Sequence, residues 1–407
     1  MIRRSPALRW LLAALGVAAV LSIAFLAGVR RDSFAVAPVS AANAVGDATC
    51  ISCHGDKGSF ERTAHRLTTR HPSGEAIDAS FAPGRNVLRT TNPAVHFRMD
   101  STADGFYETA VTGLPPDTTS RTEKIAYVAG SGRKGQSFLY WAGDRLYQLP
   151  ISYWKSLDTW INSPGPVYVG GVVNFDRAIA PRCLECHATW IDARPALTTV
   201  NEFDSTGVIL GVTCERCHGA GVEHVARERS ALHAIRASAI VNPARLDRDR
   251  KMDACAQCHG GLGSPKQPSF SYVAGRPLEK YLHLSKEDAR ATVDVHGNQV
   301  ALLERSKCFQ QSQMTCLTCH DVHREQRDVA ELSGKCLTCH APGGSTLPPT
   351  HGKQMVGRCV DCHMPLQQSN LIVSALGAEE EDVEVRSHWI RVYQDSVTRG
   401  APPELQR

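Results

Sequence analysis

Seven times in 407 residues, two cysteines stand three positions apart with a histidine directly after the second. The sets are Cys50, Cys53 and His54; Cys183, Cys186 and His187; Cys214, Cys217 and His218; Cys255, Cys258 and His259; Cys316, Cys319 and His320; Cys336, Cys339 and His340; and Cys359, Cys362 and His363. They consume fourteen of the fifteen cysteines, and no set lacks its histidine. That invariance is chemically specific. Zinc sites also use cysteine pairs, but nothing forces a histidine beside the second thiol. Covalent haem attachment does: two thiols add to the porphyrin vinyl groups, and the adjacent imidazole becomes the proximal iron ligand. A disulfide framework suits small stapled domains, not close pairs spread through a long chain. The expected cofactor is therefore seven haem c groups with their iron. Cys308 is left over, as a buried structural thiol or a reactive or intermolecular one.

Ten histidines remain after the seven proximal ones, enough for every iron to take a second imidazole. His65, His224, His296, His323, His351 and His388 are the candidate distal ligands. His71, His96, His233 and His283 compete for the last position. His224 lies six residues after His218, and His323 three after His320. Neither can wrap the porphyrin bound by its own motif, so each should ligate a neighbouring haem.

Haem is attached outside the bacterial cytoplasmic membrane, so the chain should be exported. Arg3, Arg4 and Arg9 precede an uncharged stretch, Trp10 to Val29, long enough to span a bilayer. An uncleaved anchor is the expectation, with the rest on the periplasmic side; cleavage near Ala44 is the alternative. The formal net charge of +4 resides in this N-terminus. With haem propionates added, the exported part should be acidic, and nucleic-acid binding has no support.

The chain divides into an anchor (1–31), a tether (32–46), a first-haem segment with strand signals (47–182), a six-haem domain (183–366) and a C-terminal tail (367–407). Strands are expected at "VHFRMD", "GFYETAV" and "SFLYWAGDRLYQLPISYW", the last turning at Gly143-Asp144. "EHVARERSALHAIRAS" and "PLEKYLHLSKEDARA" read as helical. The expected fold class is mainly α with a small β segment, its core packed with haem and little regular secondary structure.

"GVTCERCHGAGVEHV", "SKCFQQSQMTCLTCHDVH" and "HGKQMVGRCVDCHMP" resemble blocks of a known group. It comprises the multihaem cytochromes c related to the tetrahaem cytochrome that accepts electrons from hydroxylamine oxidoreductase. The resemblance implies a mainly helical fold around stacked haem pairs, and neighbour-haem ligation by His224, His323 and His351. The group's usual Asp-His-Arg-Ile terminus is "SHWIRV" here, around His388. Its members include carriers and redox enzymes. The expected function is a membrane-anchored electron carrier between a quinol-oxidising membrane complex or periplasmic cytochromes and reductases. The alternative is an oxidoreductase of a small nitrogen or sulfur compound at one open haem. No motif has Lys in place of its proximal histidine, and no catalytic residue is assigned.

Overall fold

The structure is a computed structural model; it describes residues 36–164, 173–194, 201–230, 239–284, 297–341, 357–376 and 379–393. Residues 47–164 are dominated by antiparallel strands. A four-stranded sheet runs in chain order through Val87–Arg89, Val95–Thr102, Gly105–Leu114 and Asp117–Lys124. A six-stranded sheet is built on the hairpin Gly135–Ala142 and Arg145–Trp154. Ala142 pairs with Arg145, leaving Gly143-Asp144 as the two-residue turn. Gly143 has φ +65°, which glycine adopts without penalty. Phe97, Met99 and Ala110 of the first sheet share one core with Phe138, Tyr140, Leu149 and Ile151 of the second. The alternation of strand side chains makes this possible, since each strand offers one apolar face to its neighbour sheet.

The six-stranded sheet is covered on its other face as well. Tyr127, Leu139 and Leu146 pack with Leu184, Ile191, Phe203 and Phe270. Leu184 lies inside the second attachment motif. The β module is therefore a platform against which a motif-bearing helix seats. A third core, with Met252, Ala256, Leu278, Leu282, Val300 and Leu303, underlies the fourth motif.

The expectation of a mainly α chain is wrong. Helix and strand take equal shares, 28% each, and the protein is mixed α/β. Each Cys-x-x-Cys-His motif spans only about one helical turn, so seven motifs generate little helix. Most of the strand lies between Thr69 and Asn162, a stretch that contains no attachment motif. Two further readings change with it. "PLEKYLHL" forms a 3₁₀ turn, Leu278–Lys280, and a short strand, Leu282–His283, paired with Ser264–Pro265. The C-terminal tail, given no strand signal above, contains regular structure: Leu366–Leu376 and Glu379–Arg386 make a hairpin whose Val385 packs on Trp154 and Ile161. In "EHVARERSALHAIRAS" the helix Val222–Glu228 is present, and positions 231–238 lie outside the described residues.

Glu108 is fully buried in the β core. One carboxyl oxygen accepts the Ile151 N–H at 3.0 Å, tying the sheets together; the other has no partner. Burial pushes its pKa well above the usual carboxylate value. The folded state then holds a proton that the unfolded chain releases near pH 4.5. Stability is greatest below that pH and declines as pH rises toward the folded value, by about 1.4 kcal/mol per unit across the window. Glu108→Gln keeps the acceptor for Ile151 and removes this decline. Its thermal midpoint should exceed the wild type's by a margin that is larger at pH 7 than at pH 5; equal margins at the two pH values would show that Glu108 is not the linked group.

Candidate functional site

Each attachment motif occupies a single helical turn. Asp47–Cys53, Pro181–His187, Cys214–His218, Arg248–His259, Val329–His340 and Cys359–His363 are α-helical, and Cys316–Thr318 is 3₁₀. In a helix, residues three and four apart share a face. In five of the helices the two thiols and the histidine thus stand on one side, as attachment to a single porphyrin requires; His54 directly follows the first helix, and Cys319 and His320 directly follow the 3₁₀ turn.

The first and third motif helices cap each other. Glu215, inside the third motif, is 2% exposed. Its carboxylate accepts the backbone N–H groups of Val45 (3.0 Å), Gly46 (3.0 Å) and Gly221 (2.8 Å). The first two precede the helix Asp47–Cys53, where unpaired donors accumulate. In return, Asp47 accepts the Cys214 N–H at 2.9 Å and pairs with Arg66 at 2.7 Å. Each motif helix receives a carboxylate at its N-terminus from the other.

Cysteines of different motifs also meet. Contact with Cys50, then burial, raises the Cys214 thiol; contact with Cys186, then burial, raises Cys258; contact with Cys316, then burial, raises Cys255. Cys336 touches Cys359. These contacts set the first motif beside the third, the second beside the fourth, the fourth beside the fifth, and the sixth beside the seventh. Half-buried Cys308 lies within electrostatic reach of Cys319 and Cys336.

Three histidine pairs have a geometry of their own. His65 and His259 have ring centres 6.1 Å apart, His218 and His323 6.2 Å, and His320 and His388 6.3 Å. Two imidazoles on opposite sides of one metal, with bonds of about 2.1 Å and ring centres about 1.1 Å beyond the nitrogens, sit about 6.4 Å apart. Every pair joins a proximal histidine to a histidine from elsewhere in the chain. Outer contacts orient several rings: the Nδ1–H of His218 donates to the Val241 carbonyl at 2.7 Å, that of His363 to Arg391 at 2.9 Å and that of His388 to Arg386 at 3.2 Å. A carbonyl only accepts, so Nδ1 holds the proton and Nε2 is left with its lone pair, the form that binds iron. Burial, then the neighbouring His259, holds His65 at about 4; burial, then His320, does the same for His388. Both are neutral near pH 7. The donor set and spacing fit haem iron.

His323 is braced by the first-haem segment: Ser59 donates to its carbonyl at 2.8 Å, and the Phe60 ring centre is 6.4 Å from its ring. His388 is delivered by the C-terminal hairpin. Arg386 donates to the carbonyls of Val360 and Met364 at the seventh motif, at 2.8 and 2.9 Å, and Ser306 donates to the His388 carbonyl at 3.2 Å. His224 is half-buried on Val222–Glu228, with its Nδ1 3.8 Å from Glu228, and lies within electrostatic reach of His218, as does His54. His71 packs against Tyr127, His96 lies on Val95–Thr102, and His283 is exposed on its short strand. His233, His296, His351 and the apolar stretch Trp10–Val29 lie outside the described residues. The roles of Asp47 and Glu215 went unread in the sequence, although a carboxylate at a variable motif position was the available signal.

The family model described as "Cytochrome c554 and c-prime" matches residues 170–219, the span that holds the second and third motifs. No curated protein and no solved structure matches the chain. The match supports the reading that the attachment turns and histidine pairs fit: a c-type cytochrome with covalently bound haem c, engaged in electron transfer.

Proposed function

We propose that the protein is a membrane-anchored, periplasmic heptahaem electron carrier. Each attachment motif would hold one haem through its two cysteines and proximal histidine. His65 would be the distal ligand of the Cys255/Cys258 haem, His323 of the Cys214/Cys217 haem and His388 of the Cys316/Cys319 haem. With His218 matched to His323, His224 falls to the Cys50/Cys53 haem, whose His54 shares its neighbourhood. His296 and His351 are proposed for two of the remaining three haems, and one of His71, His96, His233 and His283 for the last, on sequence grounds alone.

The observation that carries this reading is the set of three histidine pairs, each joining segments attached to different haems. Iron with two imidazoles has a lowered potential and no coordination position for substrate. That favours passage of electrons over catalysis at iron. The cysteine contacts order the passage, with haem neighbours one and three, two, four and five, and six and seven. The partners we propose are a quinol-oxidising membrane complex or periplasmic redox proteins, with the N-terminal stretch holding the protein at the membrane.

One preparation of the full chain tests the proposal. It should stay with membranes through a salt wash, leave them in detergent, and show seven covalent haem additions by mass spectrometry. Ferrous protein should bind less than one carbon monoxide per chain. Fewer haems would end the heptahaem reading. An open haem in the wild type that turned over nitrite, hydroxylamine or sulfite would replace the carrier with the oxidoreductase.

A further inference from the structure

A small polar cavity lies where three attachment motifs converge. It is lined by Arg182, Glu185, Arg216, Gln257 and Tyr272, among others. Glu185, Arg216 and Gln257 occupy the same place in their motifs, immediately before the second cysteine of the second, third and fourth sets. All three are buried, as is Tyr272. Arg216 Nε, Gln257 Oε1 and the Tyr272 hydroxyl have no hydrogen-bond partner within the protein.

Two of the cations here pair with carboxylates and one does not. Arg182 pairs with Glu185 at 3.3 Å, and Glu185 also accepts the Phe270 N–H at 2.8 Å. Arg216 donates to the Glu185 backbone carbonyl, at 2.9 Å, and its guanidinium stands 5.4 Å from the Phe270 ring centre. Among the described residues no carboxylate is within ion-pair distance of it. Arg250 and Asp253 pair with each other at 2.6 Å. Phe270 is held in the left-handed region, φ +64°, a costly conformation for a bulky residue that persists only where its surroundings enforce it. Arg216 directly precedes Cys217, donates to the carbonyl of Glu185 beside Cys186, and shares its cavity with Gln257 beside Cys258, so it stands at one cysteine of each of the three motifs.

We propose that Arg216 is a shared electrostatic set-point for the second, third and fourth haems, a buried cation with no carboxylate partner among the described residues that raises their reduction potentials together. Reduction of each iron adds one electron from the donor and removes one positive charge, so a fixed cation nearby favours the reduced form. This would make the three haems the place where electrons collect within the chain. The inference rests on the haem-binding reading above.

The test is spectroelectrochemical titration of the full-length protein carrying Arg216→Gln, Arg216→Lys or Arg98→Gln, the last at a surface ion pair. Mass spectrometry and spin state are checked first, so that loss of haem is read as failure of the haem assignment and not of this inference. In Arg216→Gln, about three of the haems should titrate lower, with the reduced-to-oxidised ratio at the original midpoint falling about tenfold, a shift of about 59 mV. Arg216→Lys should remain near the wild type, and Arg98→Gln should match it. If Arg216→Gln fails to fold, Gln257→Glu serves instead: a carboxylate beside Arg216 should lower the same haems. Unchanged midpoints, a shift spread over all seven haems, or an equal shift in Arg216→Lys would overturn the proposal.

Discussion

Replacing His323 by alanine is expected to leave all seven haems attached and to open exactly one iron. Attachment depends on the motif cysteines, which the substitution does not touch. The ring of His323 faces His218 with centres 6.2 Å apart, so the iron affected should belong to Cys214 and Cys217, although His323 lies three residues after His320. Low-spin signal should fall by about one-seventh, and carbon monoxide binding should rise from near zero to about one per chain. Peptide mapping of the carbon monoxide-sensitive haem would locate it. If the opened site is the haem of Cys316 and Cys319, the pairing read from the rings is wrong. His65→Ala and His388→Ala should behave likewise at the haems of Cys255/Cys258 and Cys316/Cys319.

Glu215→Ala should have the largest effect on stability. It strands three backbone N–H groups, of Val45, Gly46 and Gly221, around a site that is 2% exposed. Hydrogen bonds to a charged group contribute about 1.5–3 kcal/mol each, and the losses are not additive, so about 3–5 kcal/mol is expected. Glu215→Gln retains an acceptor and should recover part of this. Urea titration of the haem-loaded protein provides the measurement, with Glu223→Ala on an exposed helix face as the comparison. A loss below about 1 kcal/mol would mean that water reaches these groups and the mutual capping is dispensable.

The attachment motifs were legible because their chemistry is local: one helical turn holds the whole pattern. The hairpin at Gly143-Asp144 was legible for the same reason, since alternating strands and a two-residue turn are short-range signals. "PLEKYLHL" misled because its short apolar run suits either period, and pairing of Leu282–His283 with Ser264–Pro265 decided the outcome. The balance of helix and strand was misjudged by counting motifs and overlooking how much backbone the β module orders. The spacing argument for His323 identified what it could not bind but named no partner. The match to His218 depends on how Ser59 and Phe60 approach from the first-haem segment, a tertiary fact absent from local pattern.

The histidine pairs also constrain how such a molecule can be made. His65 meets His259, and His388 meets His320, so the proposed iron sites would be completed by residues synthesised long after, or long before, the segment that carries the attachment motif. Contacts of such high order along the chain close late, because loop entropy opposes them until most of the chain is present. The fifth site would remain unfinished until residue 388 has emerged. A nascent chain would therefore pass through a period in which porphyrins are covalently fixed but coordinatively open. Biogenesis would need protection from peroxide and stray ligands during that interval, a vulnerability that ends only when the C-terminal hairpin docks.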